Sequence, residues 1–369
     1  MTASRSLLYF RGRVGLYHIL RLLGVGAGDE VILQAFTCVA VPEAIMATGA
    51  KPVWVDLAAG SVNLDAADLA AKVTSQTKAI IVQHTFGVPA DLDAILPIAE
   101  HHGIPMVEDC CHTVASAHRQ RLLGTIGAAA FWSYEWGKPV IAGIGGEVRC
   151  NDPELQSRAA ENYARDFSPA PAKKSAVIAA QYIMHALLYG PRRFWAVRRA
   201  FHALGRAGVA QSNYNPVGPG VAMAADFRWQ MAGFSQSRLA AARARAEAFL
   251  PGRRQQAARY TAGLRPGSVR FAAVPPGAEA VFSRFPVFAP RKEVLLAAAR
   301  AANLEMAAWF ATPVHPLAGD ELRLVHYTPG SCPRAEAAAA SLVSLPLHPR
   351  VTPAFQDRLV ELINRHGSA

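Results

Sequence analysis

Over residues 30–150, short apolar runs of strand length alternate with stretches whose apolar residues recur every three or four positions. Residues 30–36, 52–56, 78–84, 105–109, 128–134 and 147–150 predict strands. Between them, 42–48, 65–73 and 91–102 predict helices, with Gly49 ending the first and Asp65 opening the second. Strands that read as continuous apolar runs are covered on both faces, so the pattern predicts an α/β fold around a mostly parallel sheet. In such sheets the binding crevice lies beyond the carboxyl ends of the strands. That rule picks out Asp109, at the end of one strand, and the turn from Ser133 to Lys138 after another.

The remainder of the chain changes character. Residues 151–215 read as helical, basic and aromatic, with Tyr182, Tyr189, Phe194, Trp195 and Phe201 among Arg192, Arg193, Arg198 and Arg199. Proline and glycine mark loops at 168–174 and 218–220. A long helix is expected over 234–250, strand-like runs at 269–274 and 280–287, and helices at 291–302 and 353–366. The organisation expected is a large α/β domain over 1–245, carrying the helical excursion, and a smaller α+β domain over 246–369.

Composition narrows the function. A chain with 51% hydrophobic and 18% charged residues is globular rather than disordered. No apolar run approaches the roughly 20 residues that span a bilayer. With no secretory leader pattern at the N-terminus either, the cytoplasm is the expected compartment. The five scattered cysteines give no disulfide framework, and no CxxC or HxxxH spacing suggests a metal. The net charge of +11 sits largely in arginine-rich helical stretches without a nucleic-acid-binding motif. An anionic small substrate suits it, and so does a membrane surface. Only Lys51, Lys72, Lys78, Lys138, Lys173, Lys174 and Lys292 among the 38 basic residues are lysine. A nucleophilic amine must lose its proton, which arginine does not do, so these few are the candidates.

Lys138 stands between an aromatic strand end and the glycines Gly143, Gly145 and Gly146. Partial burial there favours the neutral amine that a Schiff base needs; an ordinary loop lysine is the alternative. Asp109 suits a cationic heterocycle, a metal, acid–base work or a plain helix cap. His112 orients a ring substituent or is a satisfied buried histidine. Gly12 and Arg13 open an apolar-periodic helix whose N–H groups suit an anion, with Ser133 offering a hydroxyl to it; an ordinary glycine-containing helix start is the alternative.

Taken together these segments resemble the DegT/DnrJ/StrS aminotransferases, which transfer an amino group to keto sugars carried on nucleotides. The resemblance is nearly full length. It rests on Gly24–Ile32, Gly49–Asp56, Thr77–His84, Gly87–Asp91, Val107–His112, Ser133–Lys138, Cys332–Glu336 and Ser344–Pro349 in order. It implies a fold-type I pyridoxal-phosphate (PLP) enzyme, working as a homodimer on an amino-acid donor such as glutamate and a keto-sugar acceptor. Lys138 would bind PLP, Asp109 would pair with the pyridine nitrogen, and His112 would sit near the ring hydroxyl. Ser133, Gly12 and Arg13 would hold the phosphate. Three positions depart from the family pattern. Cys38 stands where an aromatic residue usually stacks on the ring, a role that Phe36 would otherwise take. Arg13 replaces a threonine, and its guanidinium would add to phosphate binding. Asp226 falls where the partner subunit usually offers an asparagine, beside Arg228, which keeps the basic role. A PLP-dependent sugar dehydratase, which uses histidine in place of the lysine, and a sugar-sensing regulatory protein are the alternative readings.

Overall fold

The computed structural model describes residues 6–206, 214–215, 217–218 and 223–367. The six apolar runs do assemble into one sheet, joined at one edge by a seventh strand, Leu7–Tyr9, which the pattern does not predict. Its order is Leu7–Tyr9, Gly146–Cys150, Ala129–Ser133, Met106–Asp109, Thr77–Gln83, Glu30–Gln34 and Lys51–Val55. The first two pairings in that order are antiparallel and the rest parallel. Alternate side chains enter different cores: Val31, Leu33, Ala79, Ile81, Val107 and Phe131 one, and Ile32, Ile80, Val82, Met106 and Ala130 another. Both faces are covered, as continuous apolar strands require.

The helix starts follow from side-chain chemistry. Asp65 accepts from the backbone N–H groups of Ala67 and Asp68, and Asp152 from that of Leu155, satisfying donors left over at a first turn. The Gly12–Leu22 helix is different: its N-cap, Arg11, makes no side-chain capping bond.

A second core gathers residues from the Leu250–Gly263, Lys292–Ala301 and Pro353–His366 helices and a three-stranded sheet. That sheet runs Arg270–Phe271, Phe285–Phe288, Leu342–Leu345, all antiparallel. Several expectations are corrected here. The helix expected over 234–250 is Gly233–Ala248, and a second, unexpected helix, Leu250–Gly263, follows it after Phe249, with Pro251 in its first turn. The second helix buries Arg253 and Gln256 along with Ala257 and Tyr260, so its inner face lacks an apolar signature. The run 269–274 forms a strand only at Arg270–Phe271, and 280–287 only from Phe285 onward. The loop expected over 168–174 ends at Pro171, and Lys173 and Lys174 already belong to the Ala172–Leu188 helix. Within the loop expected at 218–220, residues 219 and 220 lie outside the described set.

The basic aromatic excursion is packed, not loose. Ile178 is fully buried beside Phe10, Ile144 and Ala232. Trp195 enters the second core, and its indole N–H donates to the Leu304 carbonyl at 2.8 Å. Tyr189 donates its hydroxyl to Glu305 at 2.7 Å; the same buried carboxylate pairs with Arg284 at 2.7 Å and His348 at 3.1 Å. Burial alone would raise the Glu305 carboxyl, but Arg284 and His348 hold it down at about 2.

Because that value lies below the ordinary glutamate range near 4.3, the charged form stabilises the fold above pH ~4.3, and the benefit is lost as pH falls toward 2. Glu305→Gln removes this titration and leaves Arg284 buried without its counter-charge, at a cost of about 3–5 kcal/mol. Denaturant melts at neutral pH and at pH ~3 should show a smaller acid-side loss in the variant.

Candidate active site

Consecutive residues of a strand point to opposite faces, and the pair Glu108–Asp109 uses this to separate two acids. Glu108 turns away from the crevice. Its carboxylate accepts from the backbone N–H of Gly124 at 2.8 Å, Ile126 at 2.7 Å and Gly127 at 2.8 Å, and from His84 at 3.2 Å. Burial opposes its charge, yet the His84 bond and these N–H groups hold its pKa below the usual value. Glu108, His84 and Cys110 cluster closely enough to raise the question of a metal. The hydrogen bonds answer it. His84 Nδ1 accepts from Ala90 N–H at 3.1 Å, so Nε2 carries the hydrogen it gives to Glu108 and has no lone pair for an ion.

Asp109 turns the other way. It is buried, and Oδ1 accepts from the Cys111 N–H at 2.9 Å. Burial pushes its carboxyl up from the ordinary aspartate value, with the Cys111 N–H and the Lys138 charge pulling down. The Lys138 Nζ lies 3.0 Å from His112 Nε2. His112 Nδ1 accepts the Phe86 N–H at 3.2 Å, which fixes the ring with Nε2 toward the lysine nitrogen. Burial, with the Lys138 charge, keeps the imidazole well below its usual pKa and therefore neutral.

Aromatic rings fix this pair. His112 stacks on Phe86 at 5.7 Å and Phe310 at 5.9 Å, and the Lys138 ammonium position lies 5.4 Å from the Trp309 ring centre. Gly137, at φ 81°, lets the turn pass Trp309, where a Cβ would come within 2.7 Å of the indole. Sequence reasoning missed Phe86, Trp309 and Phe310. The available signals were an adjacent Trp-Phe pair in a loop and an aromatic residue before Gly87.

The phosphate-side candidates converge as well. A Cβ on Gly12 would stand 3.1 Å from the Trp132 carbonyl oxygen and 3.2 Å from Ser133 Cβ, so the helix start and Ser133 form one close-packed junction. Gly146 closes its back, with room for no Cβ against Arg11 and Gly12. The Arg13 guanidinium, expected to grip an anion, is instead ion-paired with Glu43, which Asn215 also contacts at 2.9 Å. Arg11, fully buried, pairs at 3.1 Å with both Glu135 and Asp226. Asp226 is thus engaged by its own chain rather than directed at an anion. Cys38 is half-buried between Arg13 and Lys138; burial raises its thiol, and those two charges oppose the shift. Phe36 is buried against Phe310, 5.4 Å away, and its place is the core. Arg228 stands apart, exposed, with its carbonyl accepting from Ser168 N–H at 3.0 Å. Asp109, His112, Lys138, Cys38, Gly12, Arg13 and Ser133 are therefore brought together, and Arg228 is not.

The architecture is shared with solved aminotransferases. TlmJ from Streptoalloteichus hindustanus superposes with a TM-score of 0.73 at 25% identity, covering 98% of this chain and 85% of that one. Among sequences, a pleiotropic regulatory protein from Geobacillus stearothermophilus is 28% identical over 358 residues, 95% of this chain and 82% of that protein. An L-glutamine:scyllo-inosose aminotransferase from Streptomyces griseus is 40% identical over 148 residues, 40% of this chain and 35% of that protein. Residues 11–364 match the DegT/DnrJ/EryC1/StrS aminotransferase family. The chain belongs to that family, and is a fold-type I aminotransferase dependent on pyridoxal phosphate.

Proposed function

We propose that this enzyme moves an amino group from glutamate to the ketone of a nucleotide-linked sugar, in the synthesis of a polysaccharide, glycan or secondary metabolite. The observation that carries the reading is the Lys138 nitrogen held at 3.0 Å by a neutral histidine, beside a buried carboxylate and an uncapped helix start. The residues present fit the cofactor: the Gly12–Leu22 helix starts beside Ser133 without a side-chain cap, and Asp109 is a buried acid lacking a cationic partner at hydrogen-bond distance among the described residues.

When bound, PLP supplies an electron sink that eases removal of the donor's α-proton. Lys138 holds the cofactor and, once released, carries that proton as a general base and then acid, a role worth roughly 10²- to 10⁴-fold in rate. Asp109 keeps a hydrogen on the ring nitrogen, and that cation reverses the upward pressure of burial on its carboxyl. His112 stands at the ring hydroxyl. Ser133 and the Gly12 and Arg13 N–H groups bind the phosphate, while the Arg13 side chain stays with Glu43. Cys38 packs on the ring as a small apolar contact. Arg228, exposed on its own subunit, serves the site of the partner in a homodimer. The division at residues 245 and 246 would leave all the ring and phosphate contacts in the first domain. A regulatory role, which the Geobacillus relative's name suggests for that protein, leaves the Lys138–His112 pairing without a use; a dehydratase would have histidine at the position of Lys138.

Absorbance of the PLP-loaded protein should lose its long-wavelength band to a short-wavelength one on adding glutamate, and a response to glutamine alone would replace glutamate as the donor. Lys138→Arg should abolish both the lysine-bound band and turnover, and wild-type turnover in that variant refutes the assignment. Gly12→Ala should raise the Kd for PLP by about tenfold, about 1.4 kcal/mol. Unchanged PLP affinity would place the phosphate elsewhere.

A further inference from the structure

Between Asp166 and Asp226 the chain contains no acidic residue, yet it carries Lys173, Lys174, Arg192, Arg193, Arg198, Arg199 and Arg206. Within this stretch lies the Ala172–Leu188 helix, about 25 Å long at 1.5 Å per residue. Its inner side is fixed by Ile178 in the core, by Tyr182 against Phe234 at 5.4 Å, and by His185 against Trp136 at 4.9 Å. Arg350 ties down the C-terminal end, donating to the Ala186 carbonyl at 2.8 Å. The helix therefore cannot roll to hide its other side.

That other side is apolar and open. Ala176, Ala180, Ile183 and Leu187 form an exposed stripe at helical spacing, widened by Met184 and Leu188. Leu187 is 69% exposed, Ile183 55%, Leu188 48% and Met184 44%. Such a cluster of large apolar side chains is uncommon on a surface that meets only water. Exposed Lys173 stands at one end of the stripe and exposed Arg192 and Arg193 at the other. The length and hydropathy of the described helices rule out a helical span.

We propose that this face is a docking surface for an anionic lipid bilayer, on which the helix lies in the plane of the headgroups. The apolar stripe enters the acyl boundary, and the long basic side chains at its ends extend to the phosphates. Charge selects this occupant over a second copy of the chain. A two-fold contact sets the same patch against itself, and here that would face arginines with arginines and no acid between them. An anionic bilayer offers the opposite sign, and each basic residue near its surface adds to the attraction.

Flotation of the full-length PLP-loaded protein tests this, using vesicles of phosphatidylcholine alone and of phosphatidylcholine mixed with phosphatidylglycerol. Capture by the mixed vesicles should be about tenfold stronger or more, and should fall as salt screens the basic residues. Ile183→Glu with Leu187→Glu should reduce capture about tenfold while leaving the PLP absorbance band unchanged. Equal capture by both vesicle types overturns the proposal, whatever the variant does. So does a double variant that folds and still binds the mixed vesicles like the wild type. A fall in sedimenting mass on making the same variant also overturns it, and assigns the face to a second copy.

Discussion

The buried carboxylate of Glu108 is the interaction on which the site's geometry depends. A charge removed from water persists only where donors replace its hydration, and here three backbone N–H groups and a histidine do so. The donors come from the segment Gly124–Gly127, which leads directly into the Ala129–Ser133 strand. By gripping that segment, Glu108 sets where the strand begins, hence where Ser133 ends and where the turn carrying Lys138 starts. His84, the fourth donor, ends the neighbouring strand and brings Phe86 to His112. One carboxylate thus couples three parallel strands at the edge where the chemistry takes place.

Around the helix start the chain uses arginine in a way its family pattern does not anticipate. Arg11 and Arg13 are both buried, and each meets carboxylates: Glu135 and Asp226 for the first, Glu43 for the second. Removing any of these acids would weaken the compensation of a guanidinium held in a dry environment. Asp226 is therefore explained by Arg11 and not by a phosphate. The positive potential at the helix start then comes chiefly from its backbone.

The large sheet was legible because its strands are apolar throughout and its helices begin with aspartates at capping positions. Asp65 and Asp152 lie beside the backbone they cap, so the sequence itself displays the interaction. The convergence of Asp109, His112 and Lys138 was legible in a weaker sense: order and spacing matched a family pattern, while composition left each residue ambiguous. What escaped was long-range and polar. Arg11 meets Asp226 across 215 positions, and no local period announces such a pair. The Leu250–Gly263 helix buries polar side chains against polar partners, as when Gln256 donates to the Val351 carbonyl at 2.8 Å, so the usual apolar stripe is missing. Trp309 and Phe310 reach His112 from beyond residue 300, and only folding reveals it.

Placing Glu108 and Asp109 side by side leaves the Met106–Asp109 strand intolerant of insertion or deletion. A one-residue slip reverses every side chain in a strand, and here it would turn the scaffold's acid into the crevice and bury the crevice's acid among the loop donors. Two carboxylates differing by one methylene would each be offered the other's partners, at the wrong reach. Substitutions along this strand are graded in their effects, but its register is all or nothing. For a designer who wishes to re-tool the enzyme, length is the quantity to leave alone here, and the loops beyond residue 300 are the place to work.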